Sequence, residues 1–205
     1  MNGAGPVLLS VCLALCACTE ATVQGGRSIA AAAADDPISF GKLADFRLVE
    51  SSGREVTRAD LAGRTWIVDF IFTTCSGPCP KLTANMRKLQ DELEDSGIGL
   101  LSITVDPAID DPQKLAAYAS SWTADPERWW FLTGDEAQIH ALMSESFMLG
   151  VERAEGAPEG EQVTHATRLV VLDRDGALRG YYDGQTDEGC RSALARALAL
   201  DARGP

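Results

Sequence analysis

Histidine is nearly missing from this 205-residue chain: His140 and His165 are the only two. Basic side chains are also short, 18 against 30 acidic ones, for a formal net charge of −12. Phosphate backbones are held by clustered Lys and Arg, so this balance excludes a nucleic-acid partner and leaves an acidic, solvated surface. No basic run is present that would dock electrostatically on a membrane. Long apolar runs are lacking as well. The most apolar stretch, residues 7–17, is too short to span a bilayer and has the length of a signal-peptide core. Cysteine is scarce where a fold would use it. Of six, Cys12, Cys16 and Cys18 fall in or beside that leader, leaving Cys75, Cys79 and Cys190. Three are too few for a disulfide framework and better suited to one working pair and one leftover.

What is present begins with that leader. Leu15-Cys16-Ala17-Cys18, followed by Thr19-Glu20, resembles a bacterial lipoprotein signal, although residues 1–6 carry no Lys or Arg. The resemblance implies a signal peptide over 1–17, cleavage before Cys18, lipid attachment there, and an exported, membrane-anchored protein facing away from the cytoplasm. Residues 18–36, rich in Ala and Gly, read as a flexible tether. Residues 37–203 read as a single domain, with 45% apolar residues over the whole chain, ordinary for a globular protein.

Within that domain strand and helix periods alternate. Residues 46–49 and 55–56 flank Ser-Ser-Gly as a hairpin. Residues 66–72 form an apolar run broken only by Asp69, as expected of a strand buried on both faces. Leu82, Met86, Leu89 and Leu93 recur at helical spacing. A strand over 98–105, a helix over 112–122 with Pro in its first turn, a strand over 129–132 and a helix over 136–149 come next. Strands over 167–172 and 178–182, joined by Asp-Arg-Asp-Gly, precede a helix over 188–200. This order predicts an α/β fold, a thioredoxin-like three-layer sandwich with a central mixed β-sheet flanked by helices.

The segment Phe72-Thr73-Thr74-Cys75-Ser76-Gly77-Pro78-Cys79-Pro80 lies where a buried strand runs into a helix. Amides and the positive end of the helix dipole favour thiolate over thiol at such a junction. If Cys79 is already helical, the spacing of four brings both sulfurs to one face, able to close a disulfide or pinch a metal. Two thiolates suit Cu(I), and an added imidazole accommodates Cu(II). Geometry alone leaves redox and metal chemistry open. Of the histidines, His140 falls within a helix, whereas His165 is expected in a loop, residues 162–166, beside the cysteine turn. Cys190, at the start of the last helix, is expected to be a buried, inert thiol, with an intermolecular disulfide as the alternative. The Trp129-Trp130 pair reads as core and rim packing, and Asp106 as a turn or cap residue.

Together these residues resemble the SCO/SenC family, copper-binding thioredoxin-fold factors in cytochrome oxidase assembly. The resemblance covers about residues 40–200. It rests on Phe-Thr-Thr-Cys75 through Cys79-Pro80, on Ser102-Ile103-Thr104-Val105-Asp106-Pro107 with Asp110, Asp111 and Pro112, on Leu132-Thr133-Gly134, and on Val163-Thr164-His165. It implies a copper metallochaperone with Cys75, Cys79 and His165 as ligands for Cu(I) or Cu(II), and the copper-site subunit of a respiratory oxidase as recipient. The family often has Pro after the first cysteine and Asp before the histidine, where this chain has Ser76 and Thr164. A thiol–disulfide oxidoreductase that uses Cys75 and Cys79 to reduce the recipient's cysteines is the alternative. A peroxidase with a single low-pKa cysteine fits less well, because Arg87 lies two helical turns beyond Cys79.

Overall fold

A computed structural model describes Met1 and residues 39–153, 163–165 and 167–203, with side chains omitted for Arg153 and 163–165. The leader after Met1, Cys18 and the whole of the tether expected over 18–36 lie outside the described residues. Nine strands are described, in order β1 (Arg47–Glu50), β2 (Glu55–Thr57), β3 (Trp66–Ile71), β4 (Gly99–Thr104), β5 (Trp129–Thr133), β6 (Val151–Arg153), β7 (Val163–His165), β8 (Arg168–Leu172) and β9 (Leu178–Asp183). The helices are α1 (Arg58–Leu61), α2 (Cys79–Glu92), α3 (Pro112–Ser121), α4 (Glu136–Ala141) and α5 (Asp187–Asp201), with a π-helical turn over Leu142–Ser146.

Seven strands form one sheet in the order β2-β1-β5-β4-β3-β8-β9. Strands β3, β4 and β5 run parallel at its centre, while β1, β2, β8 and β9 pair antiparallel outside them. This is the mixed sheet the sequence predicts. Side chains alternate across the pleat, and β3 divides its residues between two cores accordingly. Trp66, Val68 and Phe70 meet α1, α4 and the π-turn through Leu61, Ile139, Leu142 and Met143. Ile67 and Ile71 meet α2, α3 and α5 through Leu82, Met86, Leu115, Ala193 and Ala197. The sheet is therefore covered on both faces, which explains why β3 and β4 are buried along their whole length. Gly99 opens β4 because a Cβ there would lie 2.4 Å from the Trp66 ring. Trp129 is fully buried, and the partly buried Trp130 packs on Trp66 with the rings tilted by 52° and their centroids 4.7 Å apart, the expected division between core and rim.

Two differences from expectation bear on the site. The helix expected over 136–149 is α-helical only to Ala141; Phe147 then donates to the Leu142 carbonyl (3.1 Å) and Leu149 to that of Met143 (2.9 Å). Widening the turn seats Leu142, Met143 and Phe147 in the core and leaves Met148 at φ +52° and 66% exposed. Beyond it, β6 and β7 form an antiparallel hairpin that the sequence does not announce.

Candidate functional site

The cysteine turn begins where β3 leaves the sheet. Pairing of β3 with β4 ends at Ile71 opposite Thr104, with one further bond from the Val105 amide to the Ile71 carbonyl (2.8 Å). Cys75 sits in the turn beyond it, its amide donating to the Phe72 carbonyl (3.2 Å), and Cys79 is the first residue of α2. Proline on both sides of Cys79 suits the opening of a helix, where an amide has no intrahelical acceptor. The Pro78 carbonyl accepts from Leu82 N (3.1 Å) and from Gln185 Nε2 (3.1 Å), which pins the helix start to the β9–α5 loop.

The two thiols differ. Cys75 is partly exposed, and its Sγ lies 3.9 Å from where a Cβ on Gly77 would be. Cys79 is 1% exposed and packs with Phe70 and Phe72. They are not joined in a disulfide, yet they lie close enough for Cys75 to raise the proton affinity of Cys79. Burial, and next the Cys75 side chain, push the Cys79 thiol far above the ordinary cysteine range, and a backbone bond with Phe72 opposes them only in part. The thiolate-favouring junction expected from sequence is thus overturned at Cys79. Its sulfur is on the core side of the turn, where desolvation exceeds the helix-terminus effect.

Two buried carboxyls flank this turn. Asp110, 0% exposed, accepts from Thr73 N (2.9 Å), Thr73 Oγ1 (2.5 Å) and Thr104 Oγ1 (2.6 Å). Its own amide donates to the Asp106 carbonyl (2.9 Å), which also accepts from Ile109. The turn role expected of Asp106 is what its backbone performs. Asp69, also 0% exposed, lies on the α2 side of β3 and accepts from Ser102 Oγ (2.5 Å), which in turn accepts from Trp129 Nε1 (2.8 Å). Its Oδ2 has no hydrogen-bond partner among the described residues. Burial pushes the Asp69 carboxyl up to about 7, with the Ser102 bond opposing it. Tyr118, sharing a 2.8 Å hydrogen bond with Thr83, is raised to about 12, first by burial and further by Asp69 and Cys79. Sequence patterning registered Asp69 only as an interruption and Asp110 only as part of a motif.

His165 is not in a loop. Its backbone belongs to β7, opposite Val151 of β6, and Val151 packs against the same core cluster as Cys75. The His165 side chain lies outside what is described, so the structure brings together Cys75 and Cys79 alone of the three. Among the described residues no three His, Cys, Asp or Glu side chains converge as a metal site. His140 is half-buried on α4, its Nε2 enclosed and without a partner among the described residues. Cys190 is half-buried on α5, 3.7 Å from the Gly184 carbonyl, and burial raises its thiol. Arg87 bonds Thr123 and Asp91 rather than either cysteine. No helix among the described residues is long and apolar enough to cross a membrane.

Known proteins share both this sequence pattern and this fold. The sequence model of the family described as SCO1/SenC matches residues 38–199. A SCO1 protein homolog of Bacillus subtilis is 34% identical over 176 residues, covering 84% of this chain and 83% of its own. A protein of Stutzerimonas stutzeri named as copper-binding is 32% identical over 143 residues, 68% of each chain. Among solved structures, a SCO1/SenC family lipoprotein of Bacillus anthracis superposes with a TM-score of 0.71 at 31% identity, covering 78% of this chain and 95% of that one. BsSco, described as a member of the Sco family of cytochrome c oxidase assembly proteins with a disulfide switch, superposes with a TM-score of 0.68 at 30% identity, covering 79% and 95%. The fold is the thioredoxin-like sandwich of these structures.

Proposed function

The chain belongs to the SCO1/SenC family, and on that footing we propose that it is a copper-carrying factor in the assembly of a respiratory oxidase. Copper is its cargo. Cys75 and Cys79 supply two thiolates, His165 completes the set with an imidazole, and the metal passes to the oxidase's copper-site subunit. A lipid on Cys18 tethers the domain to the outer face of a membrane. The observation that carries this reading is the mutual contact of the Cys75 and Cys79 thiols at the mouth of α2. Two soft donors already adjacent suit Cu(I), and the metal takes the place of both protons, which offsets the high proton affinity of Cys79. The related copper-binding and oxidase-assembly proteins point the same way.

The test is titration of the reduced protein with Cu(I) against a competing chelator. The expected result is one copper per chain, lost in Cys75→Ser and Cys79→Ser and weakened at least about tenfold in His165→Ala. Unchanged affinity in His165→Ala rejects the three-ligand site.

One observation favours a second role for the same pair. The partly exposed Cys75 beside a buried Cys79 is the asymmetry of an attacking and a resolving thiol. Catalytic turnover of a disulfide substrate by the copper-free protein would establish it.

A further inference from the structure

The last backbone rung between β3 and β4 is the Val105 amide on the Ile71 carbonyl. From there the two chains diverge, β3 into the cysteine turn and β4 into the loop towards α3. The next outward amide, Thr73 N, has no strand to pair with and instead donates to the Asp110 carboxylate, 37 residues away in sequence. The same carboxylate takes the Thr73 hydroxyl and, from β4, the Thr104 hydroxyl. We propose that Asp110 is a positioning residue for Cys75: its carboxylate serves as an extra rung that fixes the height at which the cysteine turn leaves the sheet.

The frame behind Asp110 is stiff. Its amide is held by the Asp106 carbonyl, Asp106 N donates to Thr104 Oγ1 (3.1 Å), and the next residue, Asp111, caps α3 by accepting from Lys114 N (2.8 Å). The chain of contacts to the sulfur is short. Asp110 fixes Thr73, the neighbouring Phe72 carbonyl fixes Cys75 N, and a Phe72 backbone bond reaches Cys79. A carboxylate is the group the position requires, because three donors meet there in an enclosed space and two anionic oxygens satisfy all of them without a hydrogen of their own. Asparagine has the same shape but turns one acceptor into an NH₂ that confronts a threonine donor. Placement of the pair matters for any chemistry it performs, since a disulfide forms only within a narrow range of sulfur geometry.

This inference rests on the reading of Cys75 and Cys79 as the working pair and is independent of copper. The test equilibrates the metal-free protein with reduced and oxidised glutathione. Each exchange cycle converts one glutathione disulfide to two glutathiones as the Cys75–Cys79 bond forms. The fraction oxidised is read by mass after alkylation. Asp110→Asn is expected to shift the equilibrium constant about tenfold, the effect of losing one charge-assisted hydrogen bond in one redox state more than in the other. Thr73→Val, which keeps the carboxylate and the backbone bond, is expected to shift it in the same direction by less. Leu200→Ala, in α5 and away from the turn, provides the control for loss of stability alone and is expected to leave the constant unchanged. The proposal is overturned if Asp110→Asn and Thr73→Val both match wild type within twofold, or if Leu200→Ala shifts the constant as much as they do. Should Asp110→Asn not fold, Thr73→Val decides on the same criterion. A wild-type protein that failed to bind copper would reject the copper reading while leaving this outcome intact.

Discussion

Asp69 and Asp110 are equally buried and differently served. Asp110 bonds Thr73 in the cysteine turn, Asp69 lies on the strand that leads into it, and neither is exposed to solvent. Asp110 meets three donors, two from Thr73 in the turn and one from Thr104 of β4, whereas Asp69 meets a single side-chain donor, Ser102, and keeps an oxygen without a partner among the described residues. Burying a carboxyl is costly unless donors meet it, and the two sites differ in how many they supply. At Asp110 three hydrogen bonds tie the cysteine turn to β4, and the side chain acts as a brace. At Asp69 a carboxyl in an apolar layer is raised to about 7, so it changes state near neutrality. Being buried says little about a polar group until its partners are counted.

The sharpest way to break this comparison is to remove the brace. Asp110→Ala is expected to lower stability by about 3 kcal/mol, because it strands an amide and two hydroxyls in an enclosed space. Chemical denaturation measures it, and a loss of less than about 1 kcal/mol would show that water or rearrangement replaces the carboxylate. Next comes the poorly served carboxyl. Its folded value, about 7, lies above its ordinary 3.8, so the folded state holds this proton more tightly than the unfolded chain. The resulting stabilisation is complete below about pH 4 and is lost as pH rises towards 7. Wild type is expected to lose several kcal/mol more than Asp69→Asn between about pH 4 and pH 8. Parallel stability–pH curves for the two proteins would reject this.

A smaller effect is expected from Ser102→Ala, which deprives Asp69 of its donor and Trp129 of its acceptor. A loss of about 1.5 kcal/mol is expected, with the pH-dependent window moved upward, because the bond that opposes burial is gone. The smallest belongs to Thr104→Val, at about 1 kcal/mol, since Asp110 keeps both donors from Thr73. If Thr104→Val costs as much as Asp110→Ala, the bracing resides in β4 and not in the carboxylate.

Much of the frame was legible in the sequence because burial leaves a period. The run around residues 66–72 marked β3, the Leu82-Met86-Leu89 spacing marked α2, and the cysteine pair fell at their junction. Where the structure departs, periodicity was silent or misleading. Leu142, Met143 and Phe147 continue an apolar helical pattern past Ala141, and nothing in it records the switch to a π-turn. Strand β7 is three residues long and contains Thr164 and His165, too short for alternation to distinguish it from a loop. The roles of Asp69 and Asp110 depend on partners 33 and 37 residues away, which no local pattern encodes. A charged residue inside an otherwise apolar strand, as Asp69 is, was the available signal: it demands a partner or a shifted proton.

The link from Asp110 to Thr73 also has a consequence for chain length. Surface loops ordinarily accept an added or deleted residue at little cost, because nothing they carry must stay in register. The segment between Asp106 and Asp110 has no such freedom. Its own backbone bonds set where the carboxylate arrives, and the carboxylate sets where the cysteine turn begins. One residue more or fewer there would displace the turn without touching it, so the spacing from β4 to Asp110 is bound to the site as closely as the three residues that separate Cys75 from Cys79.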